Sequence, residues 1–270
     1  MTETRDEELK QVSKALAQER QARQDAEAAL EAAERTRQDF ISLVTHELRV
    51  PMTSIKGYTD LLLKGIMGPV NDAQAGFLRT IRSNVDRMSR MVSDLSDINK
   101  IEGGRLKLTF AEVTLNAALD EAVKAFNDEI EQKGQILTQA IPPDLPLLWC
   151  DHTSLIQVLG NLIGNATKYT PEGGAITIAA DRWTGDKAGI HIVVRDNGIG
   201  ILPEEQPRVF EKFFRASDEE TRQTPGNGLA LHLSRLLMEL HGGRIWFESE
   251  RGKGSSFHLL FPTPEAPLNG

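Results

Sequence analysis

The stretch "FISLVTHELRVPMTSIKGYTDLLLKG" (residues 40–65) decides how the N-terminal part of the chain folds. Its apolar residues Phe40, Val44, Leu48, Ile55 and Leu62 fall within roughly 80° of arc at about 100° per residue, which predicts an amphipathic helix. His46 lies roughly opposite that stripe, so the spacing predicts that it faces water. Pro51 sits inside the pattern, where a proline removes a hydrogen bond and bends the axis. A lone histidine on a polar face is usually an ordinary surface residue. Whether His46 is more than that depends on the rest of the chain.

Upstream, residues 5–38 contain no Gly or Pro and are rich in Ala, Glu, Gln and Arg, a helix-forming composition. A heptad frame puts Leu9, Val12, Leu16, Ala26, Leu30, Ala33 and Phe40 at seam positions, together with Glu19, Arg23 and Arg37. This is a coiled-coil pattern diluted by charge, and a single solvated helix is the alternative. Downstream, "GIMGPVND" (65–72) is a turn, and a second helix is expected over about 73–101, with Phe77, Ile81, Met88, Leu95 and Ile98 at helical spacing. Two amphipathic helices joined by a short loop form a hairpin. Two copies could bury both stripes as a four-helix bundle.

The composition is that of a soluble two-domain protein: 270 residues, 40% hydrophobic and 26% charged. A formal net charge of -8 disfavours a nucleic-acid partner. Cys150 is the only cysteine, which excludes an internal disulfide and a cysteine metal cluster. No run approaches the roughly 18 apolar residues of a membrane span, and "MTETRDEELK" is no signal peptide. The expected location is the cytoplasm.

Beyond "EGGR" (102–105) the pattern changes. "RLKLTF" (105–110) alternates as a strand, 114–132 reads as helix, and 135–140 and 146–151 read as strands. A helix over 152–169 follows, then strands in "AITIAA" and "IHIVVRD", a helix over 228–241, and two closing strands, "RIWFESE" and "SSFHLLF". This mixture predicts an α/β sandwich of the α+β class.

Three segments carry chemistry. In "SLIQVLGNLIGNATKYTPEGG" (154–174), Asn161 and Asn165 share one helical face at i, i+4. They are either two solvated amides or oxygen donors to a hard cation such as Mg²⁺. Lys168 and Tyr169 at the helix end can reach phosphate oxygens. In "IHIVVRDNGIGI" (190–201), Asp196 ends a strand and can accept a hydrogen bond from an exocyclic amine such as that of adenine. Gly198 and Gly200 permit positive φ, although Asn-Gly is also a hairpin signal. In the third segment, Gly226-Asn227-Gly228 leads into a helix whose free N–H groups suit phosphate, and the polar stretch before it resembles a lid. A lone Gly-x-Gly is also compatible with a plain loop.

Order is more telling than any one motif. H-E-L-R-x-P, N-x-x-x-N-A-x-K-Y, D-N-G-I-G, "VFEKFFRA", G-N-G-L and "GKGSSF" occur in succession. Together they resemble the catalytic core of a bacterial sensor histidine kinase over residues 39 to about 262. That core is a dimerisation and histidine-phosphotransfer hairpin followed by an ATP-binding domain of the Bergerat type. The implied organisation is a coiled-coil signalling helix (1–38), the hairpin (39–103), a linker (104–110), the ATP-binding domain (111–264) and a tail (265–270). The resemblance implies that His46 is the phosphoacceptor of a two-component system and Glu47 its general base. It makes Asn165 the Mg²⁺ ligand and Asn161 a polar residue near the phosphates. Lys168, Tyr169 and Arg215 become phosphate-region contacts, Asp196 the adenine-specifying carboxylate, and Gly198, Gly200, Gly226, Gly228 and Leu229 parts of the nucleotide-binding loops. Cofactors would be ATP and Mg²⁺. Partners would be a second copy of the chain, a response regulator receiver domain, and an upstream sensor.

Three departures stand out. Val50 occupies the place, four residues after His46, where the family usually has Thr or Asn to position water for dephosphorylating the partner; weak phosphatase activity is expected. Ala230 replaces a third lid glycine, and Asn227 a common Thr. No sensor domain is visible. The competing readings are an ATP-driven conformational machine, whose ATPase would survive loss of His46, and a scaffold that binds ATP without autophosphorylating.

Overall fold

The computed structural model describes residues 2–185, 188–218, 221, 224 and 226–262; side chains in the first helix are described from residue 19 onward, except residues 22 and 31. The side chains of the seam positions Leu9, Val12 and Leu16, and the whole tail 265–270, therefore lie outside the description. The chain divides into two compact units, Met1–Gly104 and Arg105–Gly270.

The first unit is a helical hairpin. Helix α1 spans Thr2–Leu63 and passes through Pro51 without ending. Helix α2 spans Asp72–Glu102. It starts with a capping box: Asn71 accepts from Gln74 N–H while the Gln74 side chain accepts from Asn71 N–H, satisfying two donors that helices leave orphaned. The seam between α1 and α2 holds a small apolar cluster, Met52, Val85 and Val92. Thr45, Thr59 and Asn99 are also buried. The two threonine hydroxyls donate to carbonyls of their own helix, and Asn99 Nδ2 donates to the Gln38 carbonyl at 2.8 Å. Ile98 of the apolar stripe is buried and Val44, Leu62 and Leu95 are partly so, but much of the stripe faces elsewhere. Phe40 is 65% exposed, Phe77 73% exposed, and Leu48, Ile55, Ile81 and Met88 are exposed too.

The second unit is an α/β sandwich. Its main sheet runs β2 (Ile136–Ala140), β4 (Ala175–Trp183), β5 (Gly189–Asp196), β7 (Gly254–Pro262), β6 (Arg244–Glu250) in spatial order. The β2–β4 pair is parallel and the others antiparallel. A separate ribbon pairs β1 (Phe110–Val113) with β3 (Leu148–Asp151). Strand alternation buries Ile176, Ile178, Ile190, Ile192, Val194, Leu259 and Phe261. Helix α5 (His152–Tyr169) buries Leu155, Val158, Leu159, Leu162, Ile163 and Ala166 and packs with α3 (Leu115–Lys124) and α6 (Ala230–Leu240).

Two sequence expectations are corrected. The helix expected over 114–132 is two, α3 and α4 (Asn127–Gln132). The break falls at Phe126, whose ring sits so close to Gly164 of α5 that a Cβ there would come within 2.9 Å of it. The alternating "RLKLTF" is not a strand until Phe110. The ribbon's registered pairs begin at Phe110–Asp151, and Thr109 instead donates its N–H to the Asp151 carboxylate at 2.8 Å.

Candidate functional site

In the second unit one cavity gathers most of the singled-out residues. Asn165, Lys168 and Tyr169 reach it from the last turns of α5, and Asp196 from the end of β5. Gly200, Arg215, Gly226 and Gly228 line it from the loops between β5 and α6, with Val209, Phe214, Ala216 and Thr221. Ser255 and Phe257 line it from β7, Ala230 and Leu231 from α6, and Asn227 from the loop before α6.

Asp196 is its chemical centre. The residue is 8% exposed, and burial pushes its carboxyl above the usual carboxylate range. Two backbone donors act against that rise, Gly198 N–H at 2.9 Å and Ser255 N–H at 3.3 Å, both on Oδ1. With Oδ1 committed, Oδ2 is the oxygen available to a ligand N–H. Burial likewise raises the Tyr169 phenol, opposed by the charge of Arg215. Arg215 itself donates through Nη2 to the carbonyls of Thr221 and Thr224.

Close backbone packing explains two of the glycines. Gly200 has φ +66°, and a Cβ there would overlap the Glu250 carbonyl. Gly228 has φ +69°, and its Cβ would lie 2.5 Å from the Phe214 carbonyl. Both let one stretch of backbone close on another, which a side chain at either position would prevent.

Asn161, Gly198 and Leu229 do not line the cavity. Asn161 Nδ2 donates to Ala230 O and Ser234 Oγ, both at 3.1 Å, and so ties α5 to α6. Gly198 acts through its N–H on Asp196. Leu229 is fully buried, and its N–H donates to Asn227 Oδ1 at 3.0 Å at the entry to α6. Sequence reasoning missed Ser255 as a partner of Asp196; the available signal was the small residue that follows the glycine turn of "GKGSSF".

In the hairpin unit His46 and Glu47 are both exposed, with side-chain accessibilities of 70% and 71%. His46 Nδ1 stands 3.3 Å from Glu47 Oε1. Val50, one turn on, is also exposed. Among the described residues no helix is long and apolar enough to cross a membrane, and no group of three or more His, Cys, Asp or Glu could hold a metal ion.

Each of the two units carries a stretch that matches a family model. Residues 36–104 match the His Kinase A (phospho-acceptor) domain, and residues 150–265 the histidine kinase-, DNA gyrase B-, and HSP90-like ATPase. Carrying both, the chain belongs to the sensor histidine kinases and holds their catalytic core. It is 34% identical over 92% of its length to histidine protein kinase DivJ of Caulobacter vibrioides. It is 31% identical over 85% to the sensor histidine kinase WalK of Bacillus subtilis. The chain spans 40% and 37% of these two relatives. Among solved structures it resembles full-length ShkA in complex with AMPPNP, with TM-score 0.68 and 27% identity over 85% of this chain and 47% of that one. Acinetobacter baumannii histidine kinase AdeS shares the fold, with TM-score 0.58 and 22% identity over 82% of this chain and 98% of that one.

Proposed function

We propose that the chain autophosphorylates His46 from ATP and passes the phosphoryl group to an aspartate of a response regulator receiver domain. The observation that carries this reading is the Asp196 carboxylate, buried in the cavity with one oxygen fixed by two N–H donors and the other open to a ligand. That arrangement suits the exocyclic amine of adenine. Lys168, Tyr169 and Arg215 line the same cavity and suit the phosphates. Asn165 offers an amide oxygen to Mg²⁺, whose part would be to neutralise phosphate charge. A single protein ligand fits an ion that keeps its waters and binds chiefly through phosphates.

At the hairpin, the Nδ1–H tautomer of His46 donates to Glu47 and leaves the Nε2 lone pair directed outward. Nε2 bonds to the γ-phosphorus as the bond to the ADP oxygen breaks, and Glu47 steadies the positive charge that the ring acquires. The chain works as a homodimer in this reading, because the exposed Phe40, Leu48, Ile55, Phe77, Ile81 and Met88 stripe has an apolar surface that a second copy would cover. Val50 has no donor or acceptor to hold a water, so dephosphorylation of the regulator is weak.

The test is incubation with γ-labelled ATP and Mg²⁺, followed by acid and base treatment of the protein. The expected label survives base and is lost in acid. A label stable to acid, or none at all, overturns the reading.

A further inference from the structure

The loop leaving Asp196 carries a carboxylate that the nucleotide reading does not use. Glu205 precedes the 3₁₀ turn Gln206–Arg208 and is 8% exposed. Its Oε1 accepts two hydrogen bonds of 2.7 Å, from the backbone N–H and the hydroxyl of Ser217. Its Oε2 is buried with no hydrogen-bond partner. Burying a carboxylate is costly, and an apolar side chain would fill the space without that cost. A polar acceptor kept there therefore points to a task beyond packing.

Position supplies the task. Ser217 directly follows Arg215 and Ala216, both in the cavity wall, and Val209 lines the same wall four residues beyond Glu205. The carboxylate thus ties together two stretches of one wall. Beyond Ser217, Asp218 Oδ1 accepts from Thr221 N–H at 2.9 Å and Oδ2 from Thr221 Oγ1 at 2.8 Å, and Oδ1 stands 3.7 Å from Arg251. Thr221 also lines the cavity, and its carbonyl receives Arg215. Ser217 anchors this set to the Asp196 side of the domain through two hydrogen bonds to one carboxylate oxygen.

We infer that Glu205 is a positioning residue for the nucleotide: by holding Ser217 it fixes where Arg215 stands in the cavity wall, and so sets how long a nucleotide stays bound. It acts without touching the nucleotide. The inference rests on the nucleotide reading of the cavity.

The test measures affinity and dissociation rate of AMPPNP on the whole chain. Glu205→Ala loses both bonds and is expected to bind about tenfold more weakly, mainly through faster dissociation. Glu205→Gln keeps an acceptor oxygen for both Ser217 donors and is expected to stay within about threefold of wild type. Ser217→Ala keeps only the backbone bond and is expected to fall between them, and adding it to Glu205→Ala should cost nothing further. Circular dichroism checks that each variant is folded. Wild-type affinity in folded Glu205→Ala overturns the inference, as does Glu205→Gln binding as weakly as Glu205→Ala. Should Glu205→Ala not fold, unchanged affinity and dissociation in Ser217→Ala overturns it instead. Failure of the wild type to bind AMPPNP would remove the nucleotide reading itself, which separates the two failures.

Discussion

Nδ1 of His46 and Oε1 of Glu47 lie 3.3 Å apart, although adjacent residues on a helix project about 100° from one another. The three rotatable bonds of the glutamate let it reach across to its neighbour. In the proposed reading, this contact favours the Nδ1–H tautomer and leaves Nε2 to attack. His46→Gln is expected to abolish the acid-labile label while leaving nucleotide affinity unchanged. Glu47→Gln retains an amide oxygen for Nδ1–H but loses the charge, so phosphorylation should slow by about 10²-fold. Label persisting in the His46 variant would sink the phosphoacceptor assignment.

Asp196→Asn presents an amide where the site offers an ionised oxygen. The amide either turns its NH₂ toward the N–H groups of Gly198 and Ser255 or points it at the ligand amine. Either way a charge-assisted hydrogen bond worth roughly 1.5–3 kcal/mol is lost, about ten- to hundredfold in ATP affinity. Titration calorimetry reads this directly, and unchanged affinity would end the adenine-pocket assignment.

Val50→Thr adds a hydroxyl one turn beyond His46 on an exposed surface, nearly isosterically. Little stability should be lost. The half-life of a purified phosphorylated regulator in the presence of ADP should be barely shortened by the wild type and clearly shortened by the variant. Strong acceleration by the wild type would mean that another side chain holds the water.

The outer face of the sheet should make the ATP-binding unit sensitive to acid. His191 and His258 lie edge to edge in nearly one plane, with ring centroids 5.2 Å apart and an interplanar angle of 1°, and His191 Nε2 lies 3.0 Å from His258 Nδ1. Trp246 stacks on both rings, and Asp181 Oδ1 lies 3.2 Å from His191 Nδ1. Burial depresses the His258 pKa, and His191 and Arg195 add to this while Glu248 opposes it. The unfolded chain therefore takes up the proton first as pH falls. Stability is full above the ordinary histidine range, near pH ~6.5, and declines from there until the depressed folded pKa is passed. Urea unfolding followed at pH 7.5 and pH 5 should show this loss in the wild type and a smaller one in His258→Phe. Equal losses in the two would refute the assignment to His258.

Local patterns were legible where their causes are local. The α5 span could be read to the residue because Asp151 caps it, accepting from Ser154 N–H at 2.8 Å, and its apolar face is continuous. The break at Phe126 could not, since it answers to Gly164 on another helix. Asn161 and Asn165 looked equivalent at i, i+4. Their fates differ because α6 lands against the first and leaves the second beside the cavity. Ser255 reaches Asp196 across 59 residues and Glu205 reaches Ser217 across 12. No propensity or spacing encodes either meeting, which depends on how the sheet and loops close.

The uninterrupted run of α1 from Thr2 to Leu63 makes His46 part of one continuous shaft. On such a shaft, angle and sequence length are interchangeable. Each residue added upstream turns everything before it by about 100° relative to His46, whereas seven added together return it to within about 20° of the original phase. The face that His46 shows to its surroundings is thus a matter of gearing. Because the helix is unbroken between Thr2 and His46, a twist applied far up it would reach the imidazole as a change of aim.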